Sequence, residues 1–426
     1  MLSYILNLLP LTPFTPSPST ISTIQTPSPL IHAASTAQPA LSPVSNIQGH
    51  AYNRFIQIWL ENTDYSLAAG DPSIAWLSTH GITLTNYWAV THPSQPNYLA
   101  SVSGDHFGLS SDGYIAVPSN IATVADLLDT KGISWGEYQE DMPYAGFKYI
   151  SYENPQNGKD DYVRKHNPLI MLESVTQNDT RLSLIKSFTS FASDLAAETL
   201  PQWAFITPNM TNDGHDSSIT TAALWARRFL KPLLSNAYFM KDTLVLLTFD
   251  ENEHYESPNQ VFSLLLGGAV PEASKGSEDD TFYTHYSALS SLQANFGLPS
   301  LGRWDCGANI FALVADKVGY ANWAVDTTGL DFSHSYPGPM SPIESQQAWP
   351  VPNTNAKCAA GYGVLGKVVT AWGKSDGSLN YTNPYPYDDG SGTDAGGSVS
   401  SPRNAPASPP SAPYPHPTSH TRSLSM

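Results

Sequence analysis

The chain has 426 residues, 10 Trp, 22 Tyr and 15 Phe, enough for a large core in one α/β domain with tails. Lys and Arg number 20 against 37 Asp and Glu, a formal net charge of −17, which argues against polynucleotide and anionic-membrane partners. Charged residues are only 13% of the chain, a composition suited to a secreted or cell-wall protein.

The expected organisation is a signal and Pro/Ser/Thr-rich leader over 1–45, a catalytic domain over 50–335, an appendage over 336–375 and a disordered Gly/Ser/Pro-rich tail over 376–426. The run Phe55-Ile56-Gln57-Ile58-Trp59-Leu60 reads as a strand buried on both faces, and Glu61-Asn62 follow it. A helix near 71–80 and a strand near 82–88 come next. The turn 91–96 leads into a helix near 97–103. Ser119 is expected to cap a helix through 131 that Gly132 ends, before the strand Ile133–Tyr138. An amphipathic helix over 180–198 precedes the strand 203–207. A long helix near 218–235 precedes the strand Thr243–Phe249, followed by Asp250-Glu251-Asn252. Val261–Leu266 is another strand and 285–296 another helix. Such alternation predicts a mostly parallel central sheet with helices on both faces.

Ligands of open α/β sheets gather beyond the carboxyl ends of the strands. Glu61, Asn62, Asp250 and Glu251 stand at two such ends. Their oxygen donors suit one hard divalent cation, with Ca, Mg, Mn and Zn left open. Between them, Ser94 lies in Thr91-His92-Pro93-Ser94-Gln95-Pro96-Asn97, at a turn that opens a helix. A hydroxyl there is either a nucleophile beside a phosphate seat or simply the helix cap. Asn97, His92 and Asn209 are the expected substrate contacts. His215 follows the strand 203–207, with Asp213 or Asp216 to orient it, and serves as acid, base or phosphate ligand. His166 sits in the basic island Arg164-Lys165-His166, where it either contacts the substrate phosphate or protonates a leaving group, or is a structural or surface histidine. His285 is expected to be structural. Together these residues point to metal-assisted phosphoester hydrolysis.

The blocks Trp59-Leu60-Glu61-Asn62, Thr91-His92-Pro93-Ser94-Gln95-Pro96-Asn97-Tyr98, Arg164-Lys165-His166-Asn167-Pro168, Pro208-Asn209-Met210-Thr211-Asn212-Asp213-Gly214-His215-Asp216 and Thr248-Phe249-Asp250-Glu251-Asn252 resemble a phosphoesterase family. That family holds fungal secreted acid phosphatases and bacterial acid phosphatases and phospholipases C, and is similar to the alkaline-phosphatase-like superfamily. The resemblance implies Ser94 as a nucleophile that becomes phosphoserine. It implies metal ligands at Glu61, Asn62, Asp250 and Glu251, with Ser94 completing the shell. His166 and His215 would stand near the phosphate, one of them protonated to donate to the leaving alcohol, with Asp216 beside His215. The superfamily's usual two-zinc site needs more Asp and His ligands than the matching blocks supply, which favours one metal. Small phosphorylated substrates are the expected partners.

The alternatives are a phosphodiesterase of the phospholipase C type, with Tyr87 and Trp88 as an apolar surface beside the site, and a non-catalytic binding protein. Cys306 and Cys358 are expected to pair, and the sequons are Asn178, Asn209 and Asn380, with Asn209 expected bare of sugar. No segment is long enough to span a membrane, and the oligomeric state is open.

Overall fold

The computed structural model describes residues 39–341, 349–358, 362–374, Tyr385 and 399–400. The expected leader up to residue 38, nearly all of the tail and the sequon at Asn380 lie outside the described residues.

Eight strands form the central sheet: β1 (Arg54–Leu60), β2 (Ile82–Leu84), β3 (Trp135–Gln139), β4 (Ile185–Ser187), β5 (Trp203–Thr207), β6 (Thr243–Phe249), β7 (Ser263–Leu266) and β8 (Ser277–Asp279). Their order is β8-β2-β7-β6-β1-β5-β3-β4, and β7 alone runs against its neighbours. Every residue of β5 and β6, and β1 from Phe55 onward, is buried. That burial needs cover on both faces, which explains runs that are apolar throughout rather than alternating. Each large side chain so buried contributes roughly 1.5–3 kcal/mol of transfer free energy.

Helices supply the cover: α1 (Pro72–Ser78), α2 (Ser94–Ser103), α3 (Val124–Asp129), α4 (Thr189–Ala196), α5 (Ile219–Leu233) and α6 (His285–Phe296). Asp71 caps α1 by accepting from the Ser73 and Ile74 amides, with Pro72 in the first turn. α1 packs on α5, and α6 packs on α2. All ten residues of α2 and all twelve of α6 are buried, so neither has a solvent face. Gly104 ends α2 at φ 73°, and a Cβ there would lie 2.7 Å from Asp305 Oδ1.

Several local expectations shift. Thr123 is the cap of α3, its N–H bonding Asp126 Oδ2 at 3.0 Å, so Ser119 is not. The expected helix over 180–198 divides, because Ile185–Ser187 pairs with β3 as an edge strand before α4 begins. Tyr87 and Trp88 are 0% and 6% exposed, and therefore form no apolar surface for a lipid. Cys306 and Cys358 are disulfide-bonded across a separation of 52 residues. Among the described residues no helix is long and apolar enough to cross a membrane.

Candidate active site

The register of β1 against β6 aligns Leu60 with Phe249. The next residue of each strand leaves the ladder at the same edge, so Glu61 and Asp250 emerge side by side, and the Asp250 amide still bonds the Leu60 carbonyl at 3.1 Å. β5 delivers its following loop to that edge, and the Glu61 amide bonds the Asp213 carbonyl at 2.9 Å. Three adjacent parallel strands thus set Glu61, Asp213 and Asp250 on one line.

Ser94 reaches them from α2. It is the first helical residue, Pro93 holds the cap position, and no side chain caps this end. The Ser94 hydroxyl instead lies 3.1 Å from Glu61 Oε2 and 3.2 Å from Glu251 Oε1. Asn97 builds the turn that presents it. Its Oδ1 accepts from the Val90 and Thr91 amides, and its Nδ2 donates to the Thr91 and Pro93 carbonyls.

His166 sits 3.0 Å from Glu61 Oε1 through Nε2 and 3.4 Å from Asp213 Oδ2 through Nδ1. Its ring stacks on Tyr98, whose hydroxyl donates to Glu61 Oε1 at 2.7 Å. His92 Nδ1 pairs with Glu251 Oε2, and its ring stacks on Tyr255 at 3.8 Å between centroids. His285 donates from Nε2 to the Asp250 carbonyl at 2.6 Å, a backbone support that fits the structural role expected of it.

The electrostatics of this nest are severe. Glu61, Asp213, Asp250 and Glu251 are all buried. Burial raises the pKa of each above the ordinary carboxylate range, Glu61 to about 8, and mutual repulsion adds to the rise in Glu61, Asp213 and Asp250. Burial, then Lys165 and His215, hold His166 well below the usual imidazole value. A neutral imidazole is the form that ligates a metal.

A cation fits these donors. Both Asp250 carboxylate oxygens, Asp213 Oδ2 and His166 Nε2 are buried without a hydrogen-bond partner. Glu61, His166 and Asp213 offer ligand atoms within 4.8 Å of one another. An oxygen-rich set with one imidazole suits a divalent ion and does not single out which. Of the ligands expected from sequence, Glu61 belongs to this cluster and Asp250 adjoins it. Glu251 is engaged with His92 and Ser94, and Asn62 is half-buried beside Glu61.

The remaining expected residues lie further out. His215 and Asp216 are exposed and bond each other at 2.8 Å. Asn209 folds its own turn, accepting from the Thr211 and Asn212 amides and donating to Asp141 Oδ2 at 2.6 Å. Sequence reading passed over Tyr98, Tyr255 and Asp112, and weighed Asp213 only as a partner for His215. No local pattern marks them, since each joins the site through a contact between distant segments.

Residues 44–299 match the model of the Phosphoesterase family. An acid phosphatase of Aspergillus fumigatus is 57% identical over 359 residues, which cover 84% of this chain and 80% of that protein. A phosphate-repressible acid phosphatase of Penicillium chrysogenum is 56% identical over 364 residues, covering 85% and 88%. A phosphatidylinositol-3-phosphatase of Mycobacterium tuberculosis is 32% identical over 231 residues, covering 54% and 71%. A solved alkaline phosphatase superfamily protein from Vibrio parahaemolyticus superimposes with a TM-score of 0.37 at 14% identity, covering 62% of this chain and 73% of that one. With the family model spanning more than half of the sequence and relatives above 50% identity over most of it, the chain belongs to the Phosphoesterase family.

Proposed function

We propose that this chain is a secreted acid phosphatase, a phosphoric ester hydrolase that cleaves small phosphate monoesters with Ser94 as nucleophile. The observation that carries the reading is the Ser94 hydroxyl, set between the buried carboxylates of Glu61 and Glu251 at the carboxyl edge of the sheet. The A. fumigatus and P. chrysogenum relatives are acid phosphatases, which supports the monoesterase activity.

Ionised, as a bound divalent ion would hold them, Glu61 and Glu251 only accept, so the single Ser94 proton points to one of them and leaves an oxygen lone pair for phosphorus. As Oγ bonds to phosphorus, its proton passes to Glu61 or Glu251, and the bond to the leaving alkoxide breaks as solvent protonates it to the alcohol. A water oxygen then bonds to phosphorus, the Oγ–P bond breaks, and a proton from that water restores the Ser94 hydroxyl as phosphate leaves. A divalent ion held by Glu61, His166 and Asp213, with Asp250 beside them, would stabilise negative charge on the phosphoryl oxygens. Asn97 and Asn209 serve as scaffold, because their amides are already engaged. His92 lines the site and steadies Glu251.

The test is p-nitrophenyl phosphate hydrolysis at pH 5 by wild type and Ser94→Ala, with and without chelator. Turnover that vanishes in the variant and falls with chelator supports the reading. Full turnover in Ser94→Ala would remove Ser94 as nucleophile.

A further inference from the structure

Asp112 joins two groups that sequence reading left apart. Its Oδ1 accepts from the Gln95 amide at 3.0 Å, in the first turn of α2 and directly after Ser94. Its Oδ2 takes the Lys165 ammonium at 3.0 Å. The ammonium therefore stands one carboxylate away from the turn that carries the nucleophile. Arg164, the neighbouring cation, is turned elsewhere and spends its guanidinium on the carbonyls of Lys148 and Ile115.

Lys165 also meets His215 Nε2 at 3.3 Å. An ammonium can only donate, so Nε2 accepts, and the ring proton lies on Nδ1 toward Asp216 at 2.8 Å. His215 held this way has no N–H left for a substrate. Lys165 does: among the described residues two of its three N–H groups are engaged, and its side chain is 17% exposed, open to an arriving ligand.

A phosphate monoester approaching Ser94 meets Glu61, Asp213, Asp250 and Glu251, which repel it in the ionised form that metal ligation requires, so positive charge on the open side of the nest favours its docking. We propose that Lys165 is a further catalytic residue, which binds the substrate phosphate through its remaining N–H, and that Asp112 is a positioning residue, which holds the ammonium against the first turn of α2. The inference rests on the phosphatase reading of the same site. The plainer alternative is a rim ion pair with no bearing on the ligand.

The experiment compares wild type, Lys165→Met, Lys165→Arg and Asp112→Asn. It reads the inhibition constant of inorganic phosphate, KM and kcat for p-nitrophenyl phosphate, and the rise in Tm that phosphate produces. Loss of a charged hydrogen bond predicts an inhibition constant about 10- to 100-fold higher in Lys165→Met, with its phosphate-induced Tm rise lost. Lys165→Arg should recover part of both, and Asp112→Asn should shift them less, in the same direction. An inhibition constant within about twofold of wild type in Lys165→Met overturns the proposal. Tighter phosphate binding in Asp112→Asn overturns the role given to Asp112. Turnover by wild type, lost in Ser94→Ala, decides the phosphatase reading separately, so a normal constant in Lys165→Met counts against Lys165 alone. If wild type turns nothing over, the phosphate-induced Tm rise still reads the contact.

Discussion

His166 Nε2 lies 3.0 Å from Glu61 Oε1, yet the two atoms make no hydrogen bond. Both residues are buried, and Asp213 Oδ2, 3.4 Å from the other ring nitrogen, is equally without a bond. Leaving such groups unpaired costs about 1–3 kcal/mol each, more when they are charged. A shared cation would turn that cost into ligation.

Metal binding should accordingly stabilise the fold. At a hundred times its dissociation constant, a divalent ion adds about 2.7 kcal/mol. Chelation should lower Tm and activity together, and readdition should restore both. Glu61→Gln should bind less metal by elemental analysis and lose most of its turnover. Stoichiometric metal in Glu61→Gln would exclude Glu61 as a ligand.

A covalent phosphoserine makes its own prediction. If Ser94 carries the phosphoryl group, an added alcohol should compete with water for it, giving transfer product in a ratio independent of the leaving group. Ser94→Ala should lose turnover on the order of a thousandfold or more, with stability changed by no more than about 1–3 kcal/mol. A transfer ratio that tracks the leaving group would instead indicate direct attack by water.

The strand ends were legible because β1 and β6 must be apolar on both faces, and a carboxylate pair closing such a run stands out. The line of Glu61 and Asp250 follows from that pattern alone. That Asp213 joins the buried cluster, while Asp216 only pairs with His215, was not legible. The two stand three residues apart in one turn, and burial beside His166 separates them. Nor was β4, since three residues show a strand only through their pairing with β3. Asp112 lies 53 residues from Lys165, and no local rule links them.

The disulfide should stabilise without touching the chemistry. Cys306 and Cys358 close a loop of 52 residues, for which the chain-entropy model gives about 4 kcal/mol. The double Cys→Ala variant should lose up to that amount by denaturant unfolding while keeping its kcat. A kcat that falls at temperatures where the variant remains folded would tie this cross-link to the site.

Glu137 links stability to pH. It lies buried on β3, its Oε1 accepts from the Leu169 amide at 3.1 Å, and burial pushes its pKa from the ordinary 4.5 up to about 8. Between those values the folded chain keeps a proton that the unfolded chain has released. Stability therefore falls as pH rises through this window, by up to about 1.4 kcal/mol per pH unit. Below pH 4.5 both states are protonated and the effect is absent. Glu137→Gln removes the ionisation while keeping an acceptor for Leu169. The variant should match wild type near pH 4.5 and exceed it at pH 7.5, by at most about 4 kcal/mol. Thermal unfolding of both proteins at the two pH values isolates this residue, because every other titrating group is common to the pair. A variant that is less stable by the same margin at both would mean that Glu137 is ionised in the fold and held by its partners, and would assign any alkaline instability to the carboxylates around Ser94.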